Sequence, residues 1–269
     1  MPELPEVETL LRQLKDPLTG ARISKVHIHD VRVLNVPAAL CETRLKNQVF
    51  EKIFRRGKYL CFQAGSRQLW FHLGMTGRLF LAAESSLAHT HLGVEFQGCR
   101  NKLFFSDPRR FGRVVYHEEG KTRLPEGILL TAPDPFEISA DHFVRVFQGR
   151  TGLIKSLLLN QRLVSGIGNI YADESLFRAG IRPRRRASML SRERLTALYS
   201  AVLAVLGEAI QGGGSSIDDY RHLDGKKGSF QDRHRVYGRG GKPCPACREP
   251  VKVIVISGRS SHYCPLCQK

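Results

Sequence analysis

The sequence predicts an α+β multidomain chain. An all-β sandwich or barrel sits behind one leading helix, a helical region follows, and a small metal-bound finger ends the chain. Three observations carry that prediction. Apolar residues alternate with period two in short segments up to about Tyr116, they recur at helical spacing beyond Pro135, and two Cys-x-x-Cys pairs lie near Lys269. The 269 residues suit one large domain or two to three small ones. With 42% hydrophobic and 25% charged residues, wholesale disorder is excluded.

The leading helix is read from Pro5, suited to a first turn, from the acids Glu6 and Glu8, and from Val7, Leu10, Leu11 and Leu14 at helical spacing. Val26/Ile28, Leu69/Phe71/Leu73 and Leu92/Val94/Phe96 then alternate as strands do, and turn-rich breaks such as Gln97-Gly98-Cys99-Arg100-Asn101 separate such segments. Thr131-Ala132-Pro133-Asp134-Pro135 reads as a linker. Beyond it, Phe143/Val146/Phe147, Ile154/Leu157/Leu158 and Ile170/Leu176/Phe177 predict three short helices. A fourth starts at Ser191 as N-cap, carries Leu195, Leu198, Tyr199, Val202, Val205 and Leu206 on one stripe, and stops at Gly212-Gly213-Gly214. From Ser215 to about Gly241 no period is sustained, which marks a functional or disordered loop.

Cys41, Cys61 and Cys99 are isolated, and an odd total of seven cysteines argues against a disulfide framework. Cys244, Cys247, Cys264 and Cys267 form two knuckles sixteen residues apart, the spacing of a closed tetrahedral zinc site. A redox Cys-x-x-Cys would need only one pair in a thioredoxin-like context. Val251–Ile256 and Ser260–Tyr263, with Gly258 between them, can form the hairpin that joins the knuckles. Four thiolates leave no open position, so one zinc ion would hold the fold and take no part in chemistry.

The chain carries 42 Lys and Arg against 25 Asp and Glu, a formal charge of +17. The excess is uneven, +6 over residues 1–134 and +11 over residues 135–269. Such a charge points to polyanions, nucleic acid first and anionic membrane second. The membrane reading is weakened because no basic amphipathic helix has an aromatic face and no run approaches the roughly 18 apolar residues of a span. Glu3, Glu6 and Glu8 give the N-terminus the wrong sign for a secretory leader, so a soluble intracellular protein is expected.

Two segments invite a chemical reading. Gly166-Ile167-Gly168-Asn169 precedes an apolar helix whose N-terminus favours anions, although a plain inter-helix turn explains the pair of glycines equally well. Arg259, at the hairpin tip, is either a phosphate contact or an ordinary solvated turn residue. At the N-terminus, removal of Met1 would leave Pro2 with a free secondary amine. Amines of this kind are much less basic than lysine, so part of the population is neutral and nucleophilic near neutral pH. The positive end of the following helix favours the neutral form and Glu3 the charged one. Glu3 and Glu6 could move protons beside it. By themselves these residues read first as helix-start chemistry, in which Pro and Glu are simply good first-turn residues.

Taken together, the motifs resemble those of the bacterial formamidopyrimidine-DNA glycosylase family over the whole chain. They are Met1-Pro2-Glu3-Leu4-Pro5-Glu6-Val7-Glu8-Thr9, Arg56-Gly57-Lys58-Tyr59-Leu60, His72-Leu73-Gly74-Met75-Thr76-Gly77, Asp107-Pro108-Arg109-Arg110-Phe111-Gly112, Gly166-Ile167-Gly168-Asn169-Ile170-Tyr171-Ala172, Val236-Tyr237-Gly238-Arg239 and the four-cysteine finger. The resemblance overturns the helix-start reading of Pro2. It implies that Pro2 attacks C1′ of a damaged nucleotide to form a Schiff base, that Glu3 is the acid/base with Glu6 supporting its pocket, and that Lys58 contacts the lesion phosphate. It places Arg259 with the catalytic group as well as with the DNA contacts. Strand cleavage by β- and δ-elimination would follow.

A glycosylase must flip its target out of the stack and fill the hole. Met75, Arg109 and Phe111 match the family's void-filling trio, with Met and Phe as wedges and Arg facing the orphaned cytosine. On bare sequence Met75 and Phe111 read as core. His72, Asn169 and Arg259 match phosphate contacts, and Lys155 matches a further lysine near the site. The loop 215–230 matches one that caps the flipped base, where Asp218 and Asp219 add acid beside a polyanion.

The implied domains are a catalytic helix and β-sandwich at 1–130, a linker at 131–137, a helix–two-turn–helix DNA-binding domain at 138–237 that includes the capping loop, and a zinc finger at 238–269. DNA would lie in the cleft between the two halves. The expected function is excision of oxidised purines, 8-oxoguanine opposite cytosine and formamidopyrimidines, by a monomer on double-stranded DNA in the bacterial cytoplasm at the nucleoid. The rivals are an endonuclease VIII-like glycosylase for oxidised pyrimidines and a non-catalytic zinc-finger DNA-binding protein.

Overall fold

A computed structural model describes residues 1–84, 88–217 and 220–269, so Asp218 and Asp219 lie outside the described residues. The chain forms two compact units. The first comprises Met1–Leu129 with Gly213–Ser229, and the second comprises Leu130–Gly212 with Phe230–Lys269.

In the first unit the elements follow as α1 (Leu4–Leu18), β1 (Ile23–Ile28), α2 (Ala38–Leu45), β2 (Lys52–Arg56), β3 (Tyr59–Ala64), β4 (Arg67–His72), β5 (Arg78–Ala82), β6 (Thr90–Phe96), β7 (Lys102–Ser106), β8 (Arg113–Glu118) and the single turn α3 (Glu126–Leu129). The strands make two four-stranded antiparallel sheets, ordered β1-β6-β7-β5 and β2-β3-β4-β8. The alternation that predicted β4 and β6 sends Leu69 and Phe71 from one sheet, and Leu92 and Val94 from the other, into one core. Phe71 meets Phe105 across the layers at 5.8 Å between ring centroids and Phe62 at 5.5 Å edge-on, the offset geometry that aromatic quadrupoles favour. Val7, Leu10 and Leu14 of α1 join the same core, which fixes the helix start against the sandwich.

The second unit holds α4 (Ala140–Phe147), α5 (Ile154–Leu158), α6 (Asn169–Arg178), α7 (Arg192–Gln211) and a hairpin of β9 (Lys252–Ile256) and β10 (Arg259–Tyr263). Ser191 caps α7 by accepting the Arg194 amide, and Gly212 closes the helix. On α4 the buried face is Phe143, Val144 and Phe147, so Val144 takes the place expected of Val146. Helices α2 and α3 have no counterpart in the sequence reading. No helix among the described residues is long and apolar enough to cross a membrane.

Candidate active site and nucleic-acid contacts

Pro2, Glu3 and Glu6 are all buried at the start of α1. The two oxygens of the Glu6 carboxylate accept different backbone amides. One takes the Glu3 N–H at 2.7 Å, and the other takes the Ser215 N–H at 2.7 Å. The second bond requires glycine at 214. Its φ is +81°, and a Cβ there would lie 2.7 Å from the Glu6 oxygen. The described part of the 215–230 loop that belongs to the first unit is tied to α1 at two further points, Tyr220 Oη donating to the Glu6 carbonyl at 3.2 Å and the Leu223 amide donating to Gln13 at 3.1 Å. The helix N-terminus presents its positive end at Pro2 and Glu3.

Lys58 sits in the β2–β3 turn, where Gly57 adopts φ +56°, and it is only 6% exposed. Arg55 braces this turn, donating to Glu8 of α1 at 3.0 Å and to the Gly57 carbonyl at 3.0 Å. Burial pushes the Glu8 carboxyl up, but hydrogen bonds and charge from Arg55 and Arg12 outweigh it and hold the group below the usual range. His72 lies opposite Tyr59 in the β3–β4 register, with its ring 4.8 Å from the tyrosine ring. Burial, then the charges of Lys58 and Arg113, push His72 down to about 4, so it is neutral at pH 7. Its Nδ1 accepts the Gly74 amide at 3.2 Å, which leaves Nε2 carrying the proton as a donor.

Met75 and Phe111 are 42% and 50% exposed, unusual for large apolar side chains and opposite to the core reading that bare sequence gives them. They come from the β4–β5 and β7–β8 loops. The Arg109 guanidinium stacks 4.6 Å from the Phe111 ring centroid. Met75, Arg109 and Phe111 thus sit on two neighbouring loops, and a Cβ on Gly74 would strike the Phe111 backbone at 2.5 Å.

In the second unit Asn169 opens α6, and its side-chain amide donates to the Ser260 carbonyl at 3.0 Å. Arg259 is exposed at the β9–β10 tip, after a turn in which Ser257 and Gly258 take φ +48° and +73°. Lys155, expected beside the DNA, is fully enclosed. Its Nζ pairs with Asp173 at 2.6 Å and donates to Ser261 Oγ at 2.7 Å and the Ser260 carbonyl at 3.0 Å. A lysine with no exposed surface reaches no phosphate in this conformation.

The sulfurs of Cys244, Cys247, Cys264 and Cys267 lie within 4.8 Å of one another, close to the roughly 3.8 Å edges of a tetrahedron with Zn–S near 2.3 Å. All four donors are thiols, the soft ligand set of structural zinc, and they hold one Zn²⁺. The sequence reading missed the carboxylates that brace these contacts. Asp173 accepts the His262 amide at 2.8 Å, and Glu174 accepts the Arg235, Val236 and Tyr237 amides at 2.8–3.0 Å. Burial pushes the Glu174 carboxyl up against those three amides, which pull it down. Two adjacent acids inside an apolar helix were the available signal.

Comparison with known proteins gives one answer along the chain. The family model described as formamidopyrimidine-DNA glycosylase N-terminal domain matches residues 1–114, its H2TH domain matches residues 131–221, and a zinc finger found in FPG and IleRS matches residues 241–269. The formamidopyrimidine-DNA glycosylase of Solibacter usitatus is 45% identical over 271 residues, all of both chains. The crystal structure of the MutM (FPG) protein of Thermus thermophilus superposes with TM-score 0.88 at 41% identity, over 99% of this chain and 98% of that one. A Lactococcus lactis FPG mutant bound to Fapy-dG-containing DNA superposes with TM-score 0.90 at 33% identity, over all of both chains.

Proposed function

The chain belongs to the formamidopyrimidine-DNA glycosylase family, DNA glycosylases of base excision repair with a zinc finger, and from that membership we propose that it excises oxidised purines and then cuts the strand. The observation that carries the reading is the start of α1. There Pro2 and Glu3 are enclosed at the positive end of a helix, and Glu6 ties the Glu3 amide to the Ser215 loop. With Met1 removed, the Pro2 nitrogen attacks C1′, the bond to the base breaks, and the base leaves with a proton. Loss of the amine proton leaves a neutral aminal, and cleavage of the C1′–O4′ bond with a proton delivered to O4′ opens the sugar and gives the iminium. Removal of a C2′ proton, with Glu3 as acid/base, expels the 3′ phosphate, and a second elimination expels the 5′ phosphate. Water then frees Pro2.

Lys58 and a neutral His72 donate to phosphates at the lesion, and Asn169 and Arg259 do so from the second unit. Met75, Arg109 and Phe111 fill the hole left by the flipped nucleotide, with Arg109 facing the orphaned cytosine. The loop 215–230 caps the extruded base. The functional domains follow the outline from the sequence, 1–130, 138–237 and 238–269, except that the stretch 213–229, expected with the helical domain, packs in the first unit. The chain acts as a monomer on duplex DNA in the bacterial cytoplasm. The test is a strand-cleavage assay on matched duplexes. Cleavage at 8-oxoguanine opposite cytosine well above that at thymine glycol supports the reading. The reverse preference assigns an oxidised-pyrimidine glycosylase, and tight binding with every lesion intact assigns a non-catalytic binder.

A further inference from the structure

We propose that Asp107 is a positioning residue, one carboxylate that sets the two void-filling loops in register with each other. The proposal rests on the glycosylase reading above. Met75 comes from the β4–β5 loop, and Arg109 and Phe111 come from the β7–β8 loop, yet all three have to enter one gap in a base stack. Asp107 is fully buried beneath them. One of its oxygens accepts the Thr76 hydroxyl and the Arg109 amide, the latter at 3.2 Å, and the other accepts the Gly112 amide at 2.6 Å. Its donors are therefore the residue after Met75, Arg109 itself, and the residue after Phe111.

Those donors are a hydroxyl and two backbone amides, so both buried carboxylate oxygens are satisfied by hydrogen bonds. Two glycines let the loops come this close. A Cβ on Gly112 would lie 2.7 Å from the Phe105 ring and 3.1 Å from the Asp107 carboxylate, and one on Gly74, at φ +60°, would strike the Phe111 backbone. The Asp107 backbone is itself fixed, its amide donating to the His89 carbonyl at 3.1 Å and its carbonyl bonded to the His91 ring at 2.8 Å. On the outer side Arg110, at φ +55°, is held by Asp30 at 2.9 Å. The tips stay exposed while their bases are locked.

The experiment compares borohydride trapping on a duplex with one abasic site opposite cytosine and on the same strand alone, where there is no stack to invade. Asp107→Asn keeps the shape but replaces one acceptor with a donor, and Thr76→Val removes only the link between loops. The expected result is a fall in the duplex-to-single-strand rate ratio of about 10- to 100-fold for Asp107→Asn and roughly tenfold for Thr76→Val, the cost of a wedge misplaced by about an ångström. An unchanged ratio in both variants overturns the proposal. So does an equal loss on both substrates, which assigns Asp107 a general structural role. Failure of the unsubstituted protein to trap either substrate overturns the glycosylase reading itself, and this inference with it.

Discussion

Glu6 holds the Ser215 amide and the Glu3 amide on the two oxygens of a single carboxylate, each at 2.7 Å. The residue beside the proposed nucleophile and the entry to the capping loop are thereby parts of one hydrogen-bonded unit. In Glu6→Gln one oxygen becomes an NH₂ group that cannot accept, so one of the two amides is left facing a donor. Hydrogen bonds to charged groups contribute about 1.5–3 kcal/mol, so base excision is expected to fall roughly 10- to 100-fold. Single-turnover excision of 8-oxoguanine checks this, and Gly214→Ala should act in the same direction through its 2.7 Å clash with Glu6.

Lys155 and Arg259 are expected to separate cleanly. Lys155 is enclosed against Asp173, whereas Arg259 is exposed at the hairpin tip. Lys155→Ala leaves a buried carboxylate without its cation and should destabilise the second unit by about 3–5 kcal/mol, read as a lower melting temperature. A folded Lys155→Met protein should keep the salt dependence of DNA affinity, because no phosphate contact is lost. Arg259→Ala should lower the slope of log affinity against log salt by about one. Equal slopes in Arg259→Ala and the unsubstituted protein would contradict the phosphate assignment.

Much of this fold was legible because periodicity reports burial directly. The β4 and β6 alternation, the Ser191 cap with the α7 stripe, and the hairpin between the two cysteine knuckles all follow from local spacing in the sequence. Helix α2 does not, because its eight residues bury only Cys41 and Leu45 and so show little period. The site was legible as motifs but not as geometry. Glu8, Asp173 and Glu174 act by holding backbone amides or an arginine distant in sequence, Asp107 reaches the Thr76 hydroxyl on another loop, and no local pattern announces such a partner. Lys155 shows the converse. The family resemblance places it near the site, and only its neighbours in the fold show that it is enclosed against Asp173.

The two depressed histidines set a pH window. His72 in the first unit and His234 in the second are both pushed down to about 4, chiefly by burial. An unfolded histidine titrates near 6.5, so between about 6.5 and about 4 the unfolded chain binds more protons. Stability contributed by the neutral rings is complete above that window and is lost as pH falls, at roughly 1.4 kcal/mol per pH unit for each ring. Melting temperature should drop between pH 7.5 and 5.5, and His72→Gln with His234→Gln should flatten the drop. A melting temperature that is level across this range would contradict it.

Zinc removal should act on the finger first. Structural zinc contributes about 10–16 kcal/mol to the folding of isolated finger peptides, so a strong chelator is expected to open residues 241–269 to proteolysis and to abolish DNA binding. The core of the first unit contains none of the four thiols and should survive, as followed by tryptophan fluorescence of Trp70 in β4. DNA binding that persists after zinc is shown to be gone would contradict a structural role for the finger in gripping DNA.

The central claim is that the Pro2 nitrogen is the nucleophile. The most direct measurement reduces the protein with borohydride on a duplex carrying one 8-oxoguanine opposite cytosine, then maps the adduct by peptide mass. A stoichiometric cross-link on the Pro2 amine, with Met1 absent and with the adduct lost in Pro2→Gly, is the expected result. An adduct on Lys58 or another lysine, or a lesion left intact on bound DNA with no adduct, would contradict the account.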